Sequence, residues 1–389
     1  TTYHREKTVR ILFACDNFDH GEGGAEKSTQ GLALLLTRAG HEVIVLQNGT
    51  SAPYWRAGAF VHCHKLGHPP LLGGRESLLL WQNRRWGTAL EEFLKEHPAD
   101  LIITKHRLSP ATVTVARQRR IPVVNFVHAY GMFCATQFET REPLINCDRR
   151  CFWCLPLRRK LKYPLVQIAI RRLQEALRLS DLVVANSHYV ARVIERFCQV
   201  RAPVLYPVLD LESVRVAREQ NPEHILFVKP QRVKGLQVFA CIARAMPERR
   251  FLVAGSVGWR ARQALGSLSN VELLGWVLDM RQVYRKTRLV VGPSVWPEPF
   301  GRVFVEAAVN GIPSVASRTG GIPEAVGPGG ILVDDRLNPD AWVEAIRKFD
   351  DPRLYQDLSR KAASHAEDFS PMRLYKEFQK IIKDALGLA

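Results

Sequence analysis

The chain has 389 residues, 46% of them hydrophobic and 24% charged, and its 55 Lys and Arg against 38 Asp and Glu leave a formal net charge of +17. That composition excludes a disordered or fibrous protein, the length suits two domains better than one, and no apolar run approaches the ~20 residues that cross a bilayer. The positive balance asks for an anionic partner, but zinc-finger, aromatic-basic RNA-binding and helix-turn-helix signatures are lacking, so no specific nucleic acid is expected.

In chain order, the opening TTYHREKTVRILFACDNF holds one short apolar stretch, ILFAC. It predicts a first β-strand, not the longer apolar core of a signal peptide, and a cytoplasmic protein is expected. GEGGAEKSTQGLALLLTRAGHEVIVL then sets Gly23 and Gly24 just before a helix over 25–39 and a second strand. Glycines there let the backbone approach a phosphate closely, beside the free amides of a helix start. AFVHCHKL, ADLIITKH, IPVVNFVHA and DLVVANS continue the strands, with helices over 75–97, 109–120 and within 162–179. His128 falls at the end of the fifth strand. VLYPVLDLESVRVAREQNPEH, polar and broken by Pro, reads as a linker, after which HILFVKP, FLVAGS, VELLGW, RLVVGPS, PSVAS and GILV repeat the scheme. Near-continuous apolar strands separated by helices imply parallel sheets covered on both faces. The fold class predicted is α/β, two doubly wound Rossmann-like domains facing a cleft, over 1–206 and 207–370, followed by an amphipathic helix over 371–389.

A stretch near 130–165 stands out as an insertion. Between Arg149 and Arg172 lie eight basic residues and no acid: Arg149, Arg150, Arg158, Arg159, Lys160, Lys162, Arg171 and Arg172. Phe152, Trp153, Leu155, Leu157, Leu161 and Tyr163 interleave with them. This pattern suits an anionic membrane surface, at roughly 1 kcal/mol per well-placed cation, and so a peripheral protein on the inner face of the cell membrane. The blander reading is a solvated loop followed by an amphipathic core helix. The same stretch carries Cys134, Cys147, Cys151 and Cys154 in C-x12-C-x3-C-x2-C spacing. Four thiols so close in sequence are read as a structural zinc site, with unligated thiols or disulfides as the alternative. C-x3-C-x2-C also resembles the iron–sulfur signature of radical S-adenosylmethionine enzymes, against which the fourth Cys and the position in an insertion argue. Cys15, Cys63, Cys198 and Cys241 lie in apolar patterns and read as core residues.

The most informative segment is EPFGRVFVEAAVNGIPSVASRTGGIPE, from Glu298 to Glu324. Glu298 stands in a Pro-bounded turn before Gly301, and Glu306 lies inside the helix that follows. Two acids so spaced can grip two parts of a polyhydroxylated ligand. Amides of Phe300, Gly301 and Arg302 open the helix and can point at ligand oxygens. Upstream, FVKPQRVKG gathers Lys229, Arg232 and Lys234 after a strand.

Together these segments resemble the E-x7-E, G-x-P and GG-x-x-E elements of retaining nucleotide-sugar glycosyltransferases of the family 4 type. The resemblance implies the two-domain GT-B fold and a nucleoside-diphosphate sugar donor, with UDP the expected nucleotide. It implies that Glu306 holds the ribose hydroxyls, Glu298 contacts the transferred sugar, and Lys234 of the Lys-Gly element reaches the diphosphate. The second cation is left between Lys229 and Arg232, because the family's usual Arg position is occupied by Lys229-Pro230. Gly23 and Gly24 match the family's GG-x-E loop, His128 a histidine that contacts the donor sugar, and Val277 a segment whose backbone meets the base. His128, Lys234 and Glu298 are thus the expected catalytic residues. No Asp-x-Asp motif occurs, so no catalytic divalent metal is expected. The expected acceptor is a hydroxyl of a lipid-linked or cell-envelope glycan. In the family the C-terminal helix crosses back to the first domain. A sugar-nucleotide epimerase of the same fold and a non-catalytic basic membrane-binding module are the alternatives.

Overall fold

The computed structural model describes residues 8–18, 23–67, 75–139, 143–145, 147–149 and 151–387. Runs such as LIITK and VVNFV are rich in β-branched residues and apolar on both faces, and the strands they form are buried along their whole length. Contacts divide the chain into two compact units, one of residues 1–209 with 371–389 and the other of residues 210–370.

The first unit contains β1 (Arg10–Cys15), β2 (Glu42–Asn48), β3 (Tyr54–Arg56), β4 (Ala59–His64), β5 (Leu101–Lys105), β6 (Val123–Val127) and β7 (Leu182–Ala185). They form one sheet in the order β3-β4-β2-β1-β5-β6-β7, parallel except for the short edge strand β3. Between them run helices Gly24–Arg38, Arg75–Glu96, Ser109–Arg119 and Tyr163–Leu179, close to the predicted spans. Helix His188–Cys198, which the sequence reading did not single out, follows β7 and starts at Ser187, whose hydroxyl accepts from the Val190 amide. One sheet face packs on Leu32, Leu36 and, from helix Pro371–Leu386, on Leu374, Tyr375, Phe378, Ile381 and Ile382. The other packs on Trp86, Leu90, Val113 and Ala116. The Trp86 indole, fully buried, donates to Thr112 Oγ1 at 2.9 Å, so its one polar group is satisfied.

The second unit contains β8 (His224–Val228), β9 (Phe251–Ala254), β10 (Val271–Gly275), β11 (Thr287–Gly292), β12 (Ser314–Ser317) and β13 (Gly330–Val333). These pair in the order β10-β9-β8-β11-β12-β13, all parallel. The order reverses direction between β8 and β11, the switch point at which doubly wound sheets bind ligands outside the carboxyl ends of their strands. The loops after β8 and β11 carry Lys234 and Glu298.

Candidate active site

In the second unit the three predicted segments meet. After β8 the chain makes a single 3-10 turn, Arg232–Lys234, and exits through Gly235 at φ 83°. A Cβ at residue 235 would fall on the carbonyl oxygen of Pro293, so only glycine fits this turn against the end of β11. The Val295 amide donates to the Val233 carbonyl at 3.1 Å, tying the two loops together. Lys234 Nζ then lies 2.6 Å from Glu298 Oε2, both side chains largely buried, and 5.6 Å from the Trp296 ring centroid.

The Gly320-Gly321 turn closes on the same segment. Gly321 N donates to the Glu298 carbonyl at 2.7 Å, and a Cβ at residue 320 or 321 would run into the backbone of Glu298 or Pro299. The sequence order of the motif is therefore a packing requirement: the Gly-Gly turn fixes the backbone that carries Glu298. Gly301, at φ 115°, begins helix Arg302–Ala308. One turn in, Glu306 Oε1 accepts from Arg302 Nη2 at 2.8 Å and Oε2 accepts from the Tyr284 hydroxyl at 3.0 Å. Burial first, and the Glu306 charge second, push the Tyr284 phenol well above its ordinary range, so it stays a donor. Tyr284 and the internal Arg302–Glu306 pairing were not read from the sequence, although the i, i+4 spacing of Arg302 and Glu306 was visible there.

The remaining residues expected on the donor side divide. Lys229 takes φ 60°, with its amide donating to Ala254 O at 2.8 Å, and its backbone packs where a Cβ on Gly255 would come within 3.2 Å. Arg232 instead lines a 680 Å³ hollow with Leu236, Gln237, Trp259, Arg260 and Gln263, on which neither Lys234 nor Glu298 opens. Val277 is half-buried just beyond β10, beside the exposed Trp276. The Phe300 ring is buried against Phe369, centroids 5.6 Å apart, which leaves its backbone at the helix start.

In the first unit Gly23 caps helix Gly24–Arg38, whose first turn carries Glu26. A Cβ at residue 23 would meet the Glu26 carboxylate, which folds back over it. A cavity of 370 Å³ opens here, at the carboxyl ends of β1, β5 and β6, and is lined among others by Asp16, Glu26, Lys105, His106, Arg107 and His128. His128 Nδ1 is buried without a partner, and the ring stacks on Phe126 at 5.9 Å. Burial, then the nearby Lys105 and His106, lower its pKa to about 3, so the imidazole is neutral at physiological pH. Asp16 accepts from Arg107 Nε at 3.0 Å and lies 3.4 Å from His106 Nδ1. The sequence reading passed over Lys105, His106 and Arg107; the signal was a strand ending in three consecutive basic residues.

The four clustered cysteines bear on the expected zinc site. Cys134, Cys147, Cys151 and Cys154 are free thiols within electrostatic reach of one another. Among the described residues, however, no group of three or more His, Cys, Asp or Glu is arranged to hold a metal ion. Cys151 and Cys154 sit at the two ends of a single helical turn. Of the remaining four, Cys15 and Cys198 are buried as expected and Cys63 is half-buried, whereas Cys241 is exposed. Burial pushes the Cys15 thiol up to about 12, so it is inert at neutral pH.

Comparison with known proteins bears on these sites. Residues 22–213 match the profile of Glycosyltransferase Family 4 and residues 222–350 that of Glycosyl transferases group 1. The D-inositol 3-phosphate glycosyltransferase of Paenarthrobacter aurescens is 34% identical over 176 residues, 39% of this chain and 41% of that protein. That of Segniliparus rotundus is 29% identical over 223 residues, 49% of each. The chain thus matches only about half the length, or less, of these curated relatives. Among solved structures, sucrose-phosphate synthase from Thermosynechococcus elongatus superposes with a TM-score of 0.75 at 17% identity, over 98% of this chain and 100% of that one. HepE of Anabaena in complex with UDP superposes with a TM-score of 0.72 at 18% identity, over 97% and 100%. The two profiles follow one another along the chain and the fold agrees throughout: this protein belongs to the group 1 glycosyltransferases, of the family 4 type, with the GT-B fold.

Proposed function

We propose that the protein is a retaining glycosyltransferase that moves a sugar from a nucleoside-diphosphate donor, a UDP-sugar, to an acceptor hydroxyl. The observation that carries this reading is the contact of Lys234 Nζ with Glu298 Oε2 at 2.6 Å, beside Trp296, with Glu306 one turn into the helix that Gly301 begins. Without a donor, the cation meant for a diphosphate and the carboxylate meant for a sugar neutralise each other. A donor replaces that pair: its diphosphate takes the ammonium, and its sugar hydroxyls donate to Glu298. Glu306, already accepting from Tyr284 and Arg302, has lone pairs left for the two ribose hydroxyls. The amides of Gly301 and Arg302 supply donors for the departing oxygens, so charge on the leaving group is met by fixed dipoles and a lysine. His128, neutral, serves the transferred sugar as a hydrogen-bond partner and not as a charge. With no side chain among the described residues standing as general base, the departing phosphate oxygen takes the acceptor proton on the same face of the sugar, which retains the anomeric configuration.

A structure of HepE in complex with UDP-glucose favours UDP over other nucleotides, and relatives named for D-inositol 3-phosphate favour a polyol acceptor. The test is a screen of UDP-, GDP- and ADP-sugars by thermal shift and hydrolysis, with the product anomer read by NMR. Stabilisation by a UDP-sugar and an anomer of unchanged configuration are expected; an epimer formed from donor alone would replace this reading with the epimerase.

A lipid-linked or cell-envelope acceptor is the finer reading, and one observation favours it. Trp153, Leu157 and Leu161 are 68, 81 and 89% exposed, beside Lys160 and Lys162. Apolar side chains held out among cations suit an anionic bilayer interface. Flotation with anionic and neutral vesicles decides it, equal partitioning counting against it. Structural zinc rests on the cysteine spacing, and metal analysis of untagged protein tests it; substoichiometric zinc removes it.

A further inference from the structure

We propose that His365 and Phe369 are positioning residues for the donor loop: together they mount residues 298–301 on the end of the second unit. This rests on the transferase reading above, in which Glu298 meets the transferred sugar and the Gly301 amide a departing oxygen. Residues 298–301 lie outside every helix and strand, so their placement depends on what holds them from outside. Precision matters there, because a reacting group displaced by about 1 Å costs on the order of a hundredfold in rate.

Two paths lead from that segment to one place. The first runs through Phe300, whose buried ring meets the buried ring of Phe369 edge-on. The His365 ring meets Phe369 in turn, centroids 5.0 Å apart and planes at 90°. The second path runs from the Glu298 carbonyl to Gly321 N, the residue before helix Ile322–Val326. The same short helix touches the other end of the segment, since a Cβ at Gly301 would lie 3.6 Å from Ala325 Cβ. A one-turn helix leaves its carbonyls without partners of its own, and here the Glu324 carbonyl lies 2.9 Å from His365 Nε2. A carbonyl only accepts, so Nε2 carries a proton and donates it.

His365 is itself held on several sides. It lies in the last turn of helix Pro352–Ala366. Gly327, at φ 54°, leaves the space its ring fills, because a Cβ there would fall on the imidazole. Asp368 Oδ2 faces Nδ1 at 3.4 Å. Both paths therefore end on residues 365–369, beside Ser370, where the second unit ends and the chain passes to helix Pro371–Leu386 of the first. The donor loop and the exit of the chain from its unit share one support. A side chain that only filled the core would change how many molecules fold; one that aims the loop changes the turnover of each folded molecule.

The experiment measures, on the full chain, hydrolysis of the UDP-sugar selected by the thermal-shift screen. Rates are expressed per UDP-binding site, the sites being counted by calorimetric titration with UDP. Phe369→Leu and His365→Ala are each expected to lower turnover per site about tenfold. His365→Gln keeps a side-chain N–H for the Glu324 carbonyl and should recover most of that loss. Phe300→Leu combined with Phe369→Leu should lose no more than the larger of the two single losses, because both cut one contact. Hydrogen exchange of the protein without donor should rise over residues 298–308 in Phe369→Leu and His365→Ala, and stay at the wild-type level in β8 and β9. Wild-type turnover per site in both variants, equal turnover in His365→Ala and His365→Gln, or additive losses in the phenylalanine pair overturns the proposal. If UDP fails to bind wild-type protein, the donor reading falls, and exchange still decides this inference: unchanged protection over 298–308 in both variants overturns it. Should Phe369→Leu melt early, the comparison of His365→Ala with His365→Gln carries the test.

Discussion

The contact between Lys234 and Glu298 couples two residues whose proposed ligands are different parts of one donor. Glu298→Gln removes the carboxylate charge that holds the lysine back. UDP, which lacks the transferred sugar, should therefore bind Glu298→Gln at least as tightly as wild type, while sugar transfer falls about tenfold or more, some 1.4 kcal/mol in the barrier. Calorimetry and a transfer assay read the two effects separately; transfer at the wild-type rate would remove Glu298 from the reaction. Lys234→Ala and Glu306→Ala should each lower turnover at least about tenfold. His128 makes a different prediction. Its pKa of about 3 lies below that of an unfolded histidine, so between those values the unfolded chain binds the proton more readily. Its contribution to stability is therefore complete at neutral pH and is lost as pH falls through the acid range. His128→Asn should flatten that part of the stability–pH curve, measured by denaturant melts from neutral to acid pH; an unaltered slope would mean that the imidazole is solvated.

At the scale of elements, glycines decide the donor loops. The turn at Gly235 and the pair Gly320-Gly321 lie where any side chain would strike backbone. Gly235→Ala should lower both stability and UDP affinity, because positive φ and the Pro293 carbonyl oppose it together, at a cost of about 1–3 kcal/mol. A melt that is unshifted would show that the loop relaxes freely. The C-terminal helix makes a clear case of an element whose kind came from its sequence and whose domain was implied by the family resemblance, but whose partner residues only folding supplied. Its amphipathic pattern was legible in PMRLYKEFQKIIKDAL. Its partners were not: they are Ile11, Leu32 and Leu36 of the first unit, joined by a His41–Tyr375 contact of 3.0 Å. Ending the chain at Ser370 should expose that face and destabilise the first unit, seen as lost hydrogen-exchange protection in β1 and β2.

At the scale of the whole molecule, a net charge of +17 makes any encounter with an anionic surface salt-dependent. Vesicle binding, if the exposed Trp153–Leu161 segment carries it, should weaken steeply with ionic strength but retain an apolar remainder that Trp153→Ala and Leu161→Ala reduce. UDP binding should instead raise protection selectively in residues 210–370, and at 100 times the dissociation constant add about 2.7 kcal/mol to the stability of that unit. Protection spread evenly over the chain would argue that the nucleotide binds elsewhere.

The alternation of strand and helix, the parallel character of both sheets and the motif from Glu298 to Glu324 could all be read from residue order. Each depends on interactions between neighbours in sequence: β-branched runs, helix starts and glycine turns. What residue order left open was every partner brought in from a distance. Tyr284 on Glu306, Arg232 turned to a hollow apart from Lys234, the four cysteines gathered without a ligand geometry, and Lys105 buried among Thr29, Asp16 and His128 are all outcomes of strand order. A sheet that sets β5 between β1 and β6 brings together residues some ninety positions apart, as Asp16 and His106 are, and no local pattern encodes that neighbourhood.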